Sequence, residues 1–372
     1  MSRPIVIAGG GTGGHVFVAD AVAQALQGVG EPAGSLRFVG SRRGQERKLL
    51  AKSGVELRLL PGRGIQRSWS LRAIVDNLLA AAGLFIAVLS SVALIGRWRP
   101  RAVVSVGGYA AFPVGLAAAM WRRPLILVNV DAVPGMTHRL LSRAATASCV
   151  AFAGTELPAA VLTGAPVRPG FADIDRSLEG RQRARRALGC DPERPFVAVA
   201  TGSLGSRSVN QAVADLASLW AERPVTIYQV TGRRDFDAMT AARRPSLDGG
   251  LEQHLTAFSD QMELLYSAAD VAVTRAGALT IAELAVAGVP AVLVPLPGAP
   301  GDHQTANARA LADAGGAVLL ADDTLSASSL AEVLEPLLLE TSQRRTMEER
   351  ARSVGHPAAA HEVAAVIEAH VR

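Results

Sequence analysis

The strongest constraint on this chain is a unit that recurs along it: a short run of β-branched and small apolar residues, closed by a glycine-rich or polar turn and followed by a helix-like segment. The unit begins at Ile5-Val6-Ile7-Ala8-Gly9, Val103-Val104-Ser105-Val106-Gly107, Phe196-Val197-Ala198-Val199-Ala200 and Val271-Ala272-Val273-Thr274. Leu125 to Val130, Val225 to Val230 and Ala291 to Val294 are further strand candidates. Strands alternating with helices at this rhythm predict parallel sheets covered on both faces. A chain of 372 residues has room for two such sheets, since a domain typically takes roughly 100–200 residues. Glycine and proline cluster at Gly164-Ala165-Pro166-Val167-Arg168-Pro169-Gly170, which suggests domains over 1–165 and 166–350. The remaining segment, 351–372, is expected to pack a last helix (about Ala358 to Val371) back on the first half. The fold class is therefore α/β, with two Rossmann-like, doubly wound parallel-sheet domains expected to face each other across a cleft. In such sheets ligands bind beyond the carboxyl ends of the strands, where helix N-termini favour phosphates.

Composition removes several classes. Apolar residues make up 49% and charged residues 19%, with mean hydropathy +0.24, which excludes a disordered chain. Aromatic residues are scarce at 4% while glycines number 36, a balance suited to α/β layers rather than an aromatic-rich β module. The net charge of +5 fits an anionic partner, but the excess is too small to point to nucleic acid, and none is expected. Cys149 and Cys190 share no metal or redox spacing, so no metal site or disulfide scaffold is indicated. Met1-Ser2-Arg3 runs straight into a strand-like segment without a signal-peptide core, which makes a cytosolic chain the expectation.

From Leu78 to Gly96 no residue is charged, over 19 positions. At 1.5 Å per residue this is a helix of about 28 Å, long enough to be a membrane-span candidate. Gly83, Ser90 and Ser91 dilute it, and the short exit Arg97 to Arg101 must deliver the chain back into a sheet, so a crossing is rejected. Two readings remain. One is a buried crossover helix; the other is a helix partly exposed as a membrane-surface patch, with Trp69, Phe85 and Trp98 near Arg67, Arg72, Arg97 and Arg99.

The first glycine loop, Gly9-Gly10-Gly11-Thr12-Gly13-Gly14-His15, contains the Gly-x-Gly-x-x-Gly pattern of dinucleotide sites. Gly40-Ser41-Arg42-Arg43 at the next strand end would suit an NADP 2′-phosphate, so a nicotinamide enzyme is one reading. His15 at the mouth of the helix is either a structural helix-start residue or a base that takes a proton from an acceptor hydroxyl. In the second half, Thr201-Gly202-Ser203-Leu204-Gly205-Ser206 follows a strand and offers N–H groups and a hydroxyl to a diphosphate. Thr280 and Glu283 form either a capping box or a site in which the carboxylate accepts two ribose hydroxyls. Asp302-His303-Gln304 lies on a loop able to read sugar hydroxyls, with a helix-cap role for Asp302 equally open.

Taken in order, Gly-Gly-Thr-Gly-Gly-His-Val-Phe at 10–17, Val-Gly-Gly-Tyr-Ala at 106–110, Ala-Val-Pro-Gly at 132–135, Pro-Val-Arg at 166–168, Ala-Gly-Ala-Leu-Thr-Ile-Ala-Glu at 276–283 and Asp-His-Gln-Thr-x-Asn-Ala at 302–308 run through nearly the whole chain. With these motifs the chain resembles the MurG glycosyltransferases of family 28, which make lipid II in bacterial peptidoglycan synthesis. The resemblance implies a GT-B architecture, an N-terminal acceptor domain and a C-terminal UDP-GlcNAc domain. It implies inverting, metal-independent transfer without a cofactor to a polyprenyl-diphosphate-linked muramoyl peptide, by a peripheral protein on the cytoplasmic face of the cell membrane, held by an anionic surface. It further implies that Thr12, Gly13 and Gly14 approach the donor sugar and diphosphate, beside the candidate base His15. Asp131, Arg168 and Ser203 would contact donor groups. Phe258 and Ser259 would read uracil, Ala278, Leu279, Thr280, Ile281 and Ala282 the nucleotide through their backbone, Glu283 the ribose, and Gln304 the GlcNAc hydroxyls.

The chain departs from the family pattern at Val128-Asn129-Val130-Asp131, where His-Glu-Gln-Asn is usual, and at Val18, Ala165 and Thr201 to Leu204. Two alternatives follow: a related GT-B transferase with another UDP-sugar or lipid acceptor, and a non-catalytic nucleotide-sugar-binding paralogue.

Overall fold

A computed structural model describes residues 3–10, 13–42, 54–61, 71–202, 204–243 and 248–371, with side chains from 80 onward in the helix that begins at 71. The chain forms two units, Met1–Arg168 with Pro357–Arg372, and Pro169–His356.

The first unit is built on strands β1 (Ile5–Gly10), β2 (Leu36–Ser41), β3 (Glu56–Leu60), β4 (Ala102–Gly108), β5 (Leu125–Asn129), β6 (Ala147–Val150) and β7 (Ala160–Leu162). All neighbours pair parallel, in the order β3-β2-β1-β4-β5-β6-β7. β1 and β5 are buried at every position, as expected of central strands covered on both faces. Edge strand β3 alternates exposure, and Arg37 reaches across to Glu56 at 3.4 Å. The Ala359–His370 helix returns to pack on the Gly13–Gly28 helix of this unit.

The Leu71–Trp98 helix is the crossover between β3 and β4 and packs on the Ala111–Met120 helix. Ala80, Ala87, Ser91 and Ile95 form its buried stripe at spacings of seven, four and four, while Phe85, Ile86 and Leu89 on another face are more than half exposed. Only 22% of its Ala80–Trp98 stretch is buried. The fully buried crossover is thus corrected, because a single stripe suffices to seat the helix. Trp98 is covered by the Arg37 guanidinium, 4.4 Å from the ring centroid, and is not an open member of the apolar face. Arg67, Trp69 and the Arg72 side chain lie outside the described residues.

The second unit repeats the plan with β8 (Phe196–Ala200), β9 (Thr226–Val230), β10 (Glu252–Thr256), β11 (Val271–Thr274), β12 (Ala291–Leu293) and β13 (Ala317–Leu319), in the order β10-β9-β8-β11-β12-β13, all parallel. Its core joins Val197, Val199, Ile227, Val273 and Val292 to the Arg207–Leu219 and Ala327–Leu339 helices. Glu348 accepts from Arg176 and Arg181, each at 2.7 Å, and so pins the Thr341–Ser353 helix to the unit's first segment. In both sheets the strand order reverses direction beside the first strand, between β1 and β4 and between β8 and β11. That is where open α/β sheets bind ligands.

Candidate functional site

In the first unit the switch point is a floor of backbone. A Cβ on Gly9 would meet Val106 Cγ2 at 2.1 Å, and one on Gly108 would meet the Gly10 carbonyl oxygen at 2.0 Å. Only glycine permits β1 and β4 to approach this closely with φ of +82° at Gly108. His15, in the first turn of the Gly13–Gly28 helix, lays its imidazole on this floor beside Gly107. Gly13 and Gly14 open the same helix, half-buried. Thr12 and Gly11 lie outside the described residues.

A second imidazole, absent from the sequence reading, stands next to the first. His138 is buried, with Nδ1 3.0 Å from Asn129 Oδ1 and Nε2 3.2 Å from the Ser105 carbonyl oxygen. Burial first, then the neighbouring His15, pull its pKa down to about 4, against the Ser105 carbonyl, which favours the protonated ring. His138 is therefore neutral at pH 7. Asn129 Nδ2 donates to the Asp131 carbonyl oxygen at 2.6 Å, so the altered 128–131 stretch links Asp131 to His138 through an amide. Thr137 donates to the Gly108 carbonyl at 3.1 Å and holds the start of the His138 helix against the glycine floor. The Tyr109 hydroxyl is buried with no partner among the described residues. Arg168 places its guanidinium 5.2 Å from the Phe17 ring, so it belongs with the glycine-loop helix of the first unit.

In the second unit Arg275, which the sequence reading did not single out, ties the strand ends together. It donates to the Val294 and Pro295 carbonyls at 3.0 and 2.9 Å and to the Ser206 and Ser208 hydroxyls at 2.6 and 2.9 Å, and it pairs with Asp322 at 2.7 Å. Its signal was its place directly after β11. The Gly202 to Gly205 turn closes with a 3.1 Å backbone hydrogen bond, and Gly205 packs so closely on Thr231 that a Cβ would meet its carbonyl at 2.1 Å. Ser203 itself lies outside the described residues.

The Ala278–Ala287 helix has Gly277 as its N-cap, and no side chain caps it. Thr280 is thus the third helical residue, and the capping box with Glu283 is corrected: Glu283 sits half-buried in the second turn. The uncapped N–H groups around Ala278, Leu279 and Thr280 and the positive end of the helix dipole suit a phosphate. Ile281 is buried and Ala282 half-buried behind them. Phe258 is 45% exposed, with the Arg233 guanidinium 5.0 Å from its ring centroid, and the Ser259 hydroxyl accepts from the Gln261 N–H at 3.1 Å. Gln304 Oε1 accepts from the Leu296 N–H at 3.0 Å, which leaves its amide nitrogen as the donor for a ligand. Asp302 makes no cap; at φ +51° it accepts instead from the Thr305 hydroxyl at 2.7 Å.

Comparison with known proteins places these loops in a lineage. Residues 5–150 match the glycosyltransferase family 28 N-terminal domain and residues 196–363 its C-terminal domain. The chain is 40% identical to the UDP-N-acetylglucosamine--N-acetylmuramyl-(pentapeptide) pyrophosphoryl-undecaprenol N-acetylglucosamine transferase of Alkalilimnicola ehrlichii, over 98% of both chains. It is 38% identical to the enzyme of the same name from Salinibacter ruber, over 97% of this chain and 95% of that one. Among solved structures, the crystal structure of Acinetobacter baumannii MurG aligns with TM-score 0.77 and 30% identity over 99% of this chain and 100% of that one. Two glycine-floored switch points on two parallel sheets, and a match that runs through both, make this chain a member of glycosyltransferase family 28.

Proposed function

We propose that this chain transfers GlcNAc from UDP-GlcNAc to the 4-hydroxyl of undecaprenyl-diphospho-N-acetylmuramoyl-peptide, converting lipid I to lipid II. The observation that carries the reading is His15 on its glycine floor beside a neutral histidine, at the point of the sheet where a ligand binds. The transferase activity for which the relatives are named supports the same chemistry.

The acceptor 4-hydroxyl attacks C1 of GlcNAc from the face opposite UDP. The new C1–O bond forms as the C1–O bond to the diphosphate breaks, which inverts the anomeric centre. The hydroxyl proton passes to His15. His138, kept neutral by burial, adds no positive charge beside the imidazolium that forms. UDP leaves with the bonding pair; Thr12, Gly13, Gly14, Arg168 and Ser203 are read as donors to its charge, a reading that requires no metal. The uncapped Ala278 to Ala282 backbone holds the nucleotide, Glu283 accepts from the ribose hydroxyls, and Phe258 with Ser259 receives uracil. Gln304 reads the sugar, and Asp131 borders the donor. No nucleic acid and no cofactor enter.

The acceptor is lipid-linked, and the exposed Phe85, Ile86 and Leu89 give the first unit an apolar face, with Arg97 and Arg99 exposed at the end of the same helix. The protein is read as peripheral, resting this face on an anionic leaflet at the cytoplasmic side of the cell membrane. Calorimetry with UDP-GlcNAc, UDP-GalNAc and NADPH tests the donor. Saturable binding of UDP-GlcNAc in preference to UDP-GalNAc, with none of NADPH, is expected; preference for NADPH or UDP-GalNAc contradicts the assignment.

A further inference from the structure

Cys190, Glu252 and His254, far apart in the sequence and without metal-ligand spacing, come together at the edge of the second sheet. The Cys190 thiol, a Glu252 carboxylate oxygen and a His254 ring nitrogen lie within 4.8 Å of one another. Glu252 opens edge strand β10, His254 follows two residues later, and Cys190 lies in the connection that leads into β8. The cluster is therefore at the amino ends of the strands, opposite the edge that carries the nucleotide loops.

We propose that Cys190, Glu252 and His254 form a binding site for a borderline-soft divalent cation of the zinc class. A thiolate sulfur, an imidazole nitrogen and a carboxylate oxygen are each zinc donors, and zinc sites with three protein ligands leave the fourth position to water. With ordinary zinc bond lengths the three donors stand roughly 3.3–3.6 Å apart, so the widest separation needs to shorten by about 1.5 Å at most. The Nε2 to Oε1 separation of His254 and Glu252 is 3.0 Å.

The surroundings hold each donor in place. Glu252 Oε2 accepts from the Thr226 hydroxyl at 2.7 Å and the Asp191 N–H at 3.2 Å, which aims Oε1 at the cluster. The His254 ring stacks on Tyr228, its register partner on β9, at 5.6 Å with planes 9° apart, which fixes the imidazole orientation. Such outer contacts orient metal ligands and raise their affinity. On binding, the Cys190 proton leaves to solvent, the His254 proton moves from Nε2 to Nδ1, and sulfur and nitrogen each supply a lone pair to the cation. The bound ion then staples the connection after the Leu178–Ala187 helix to the sheet's edge strand.

The test titrates untagged full-length protein with Zn2+ by calorimetry and with Co2+ by absorption. One equivalent of saturable binding is expected, with a thiolate-to-cobalt charge-transfer band. Cys190→Ser should abolish the band, and His254→Gln, a half-buried position that folding tolerates better, should weaken zinc binding at least about tenfold. Cys149→Ser should change neither. Absence of saturable binding at millimolar Zn2+, or wild-type affinity in both the Cys190 and His254 variants, overturns the proposal. Because UDP-GlcNAc binds at the opposite edge, loss of metal binding with donor affinity intact separates this site from the transferase reading.

Discussion

His15 Nε2 lies 3.0 Å from the position a Cβ would occupy on Gly107, a residue held at φ +93°. The glycine both adopts a backbone conformation that L side chains avoid and leaves the space in which the imidazole rests. Gly107→Ala should displace His15 without touching the donor groups of the second unit. Turnover is expected to fall at least about tenfold with UDP-GlcNAc affinity nearly unchanged. His15→Ala should lower turnover further, by about 10²-fold or more, again with little change in donor affinity. Steady-state rates alongside calorimetry check both, and wild-type rates in the His15 variant would remove it as the base.

His138 makes the stability of the protein depend on pH. Its folded pKa of about 4 lies below the ordinary 6.5, so between these values the unfolded chain binds more protons than the folded one. Stability from this group is complete above about pH 6.5 and is lost as pH falls toward 4, up to an order of 3 kcal/mol. His138→Gln should lose this dependence. Urea unfolding of both proteins from pH 7 to 4.5 should show the gap between them narrowing as pH falls; a constant or widening gap refutes it.

Glu283 sits half-buried in the second turn of a helix that no side chain caps, and the carboxylate is proposed to accept from the ribose hydroxyls. Glu283→Ala should weaken UDP-GlcNAc binding by about 10- to 100-fold, the loss of charge-assisted hydrogen bonds worth about 1.5–3 kcal/mol. Calorimetry reads the change directly. Unchanged affinity would take the ribose contact away from Glu283.

Phe85 and Leu89 are 65% and 54% exposed, so polar substitutions there have little packing to lose. Phe85→Ser with Leu89→Ser should reduce co-sedimentation with anionic phospholipid vesicles several-fold, while the melting temperature and turnover on a soluble acceptor stay near wild type. Vesicle binding equal to wild type would move the membrane contact elsewhere.

The sheets were readable in the sequence because their central strands are buried on both faces and so appear as unbroken apolar runs, Ile5 to Ala8 and Phe196 to Ala200 among them. Glycine loops at strand ends then located both switch points. What stayed hidden depends on contacts between segments. His138 gains its role from Asn129 and Ser105 on two strands, which no periodicity encodes. Arg275 reads as one arginine among many until Asp322, Ser206 and Ser208 converge on it. Thr280 and Glu283 match a capping pattern, yet the helix begins earlier, with Gly277 as the extended N-cap at φ −65° and ψ 143°. Trp98 looked like a membrane anchor because the sequence does not reveal that Arg37 covers it.

The most direct test is transfer itself: wild-type protein, labelled UDP-GlcNAc and a soluble lipid I analogue, with product linkage determined by NMR. One UDP released per β-1,4-linked disaccharide formed is the expected result. Donor binding without transfer, or a product that retains the anomeric configuration of the donor, would contradict the account.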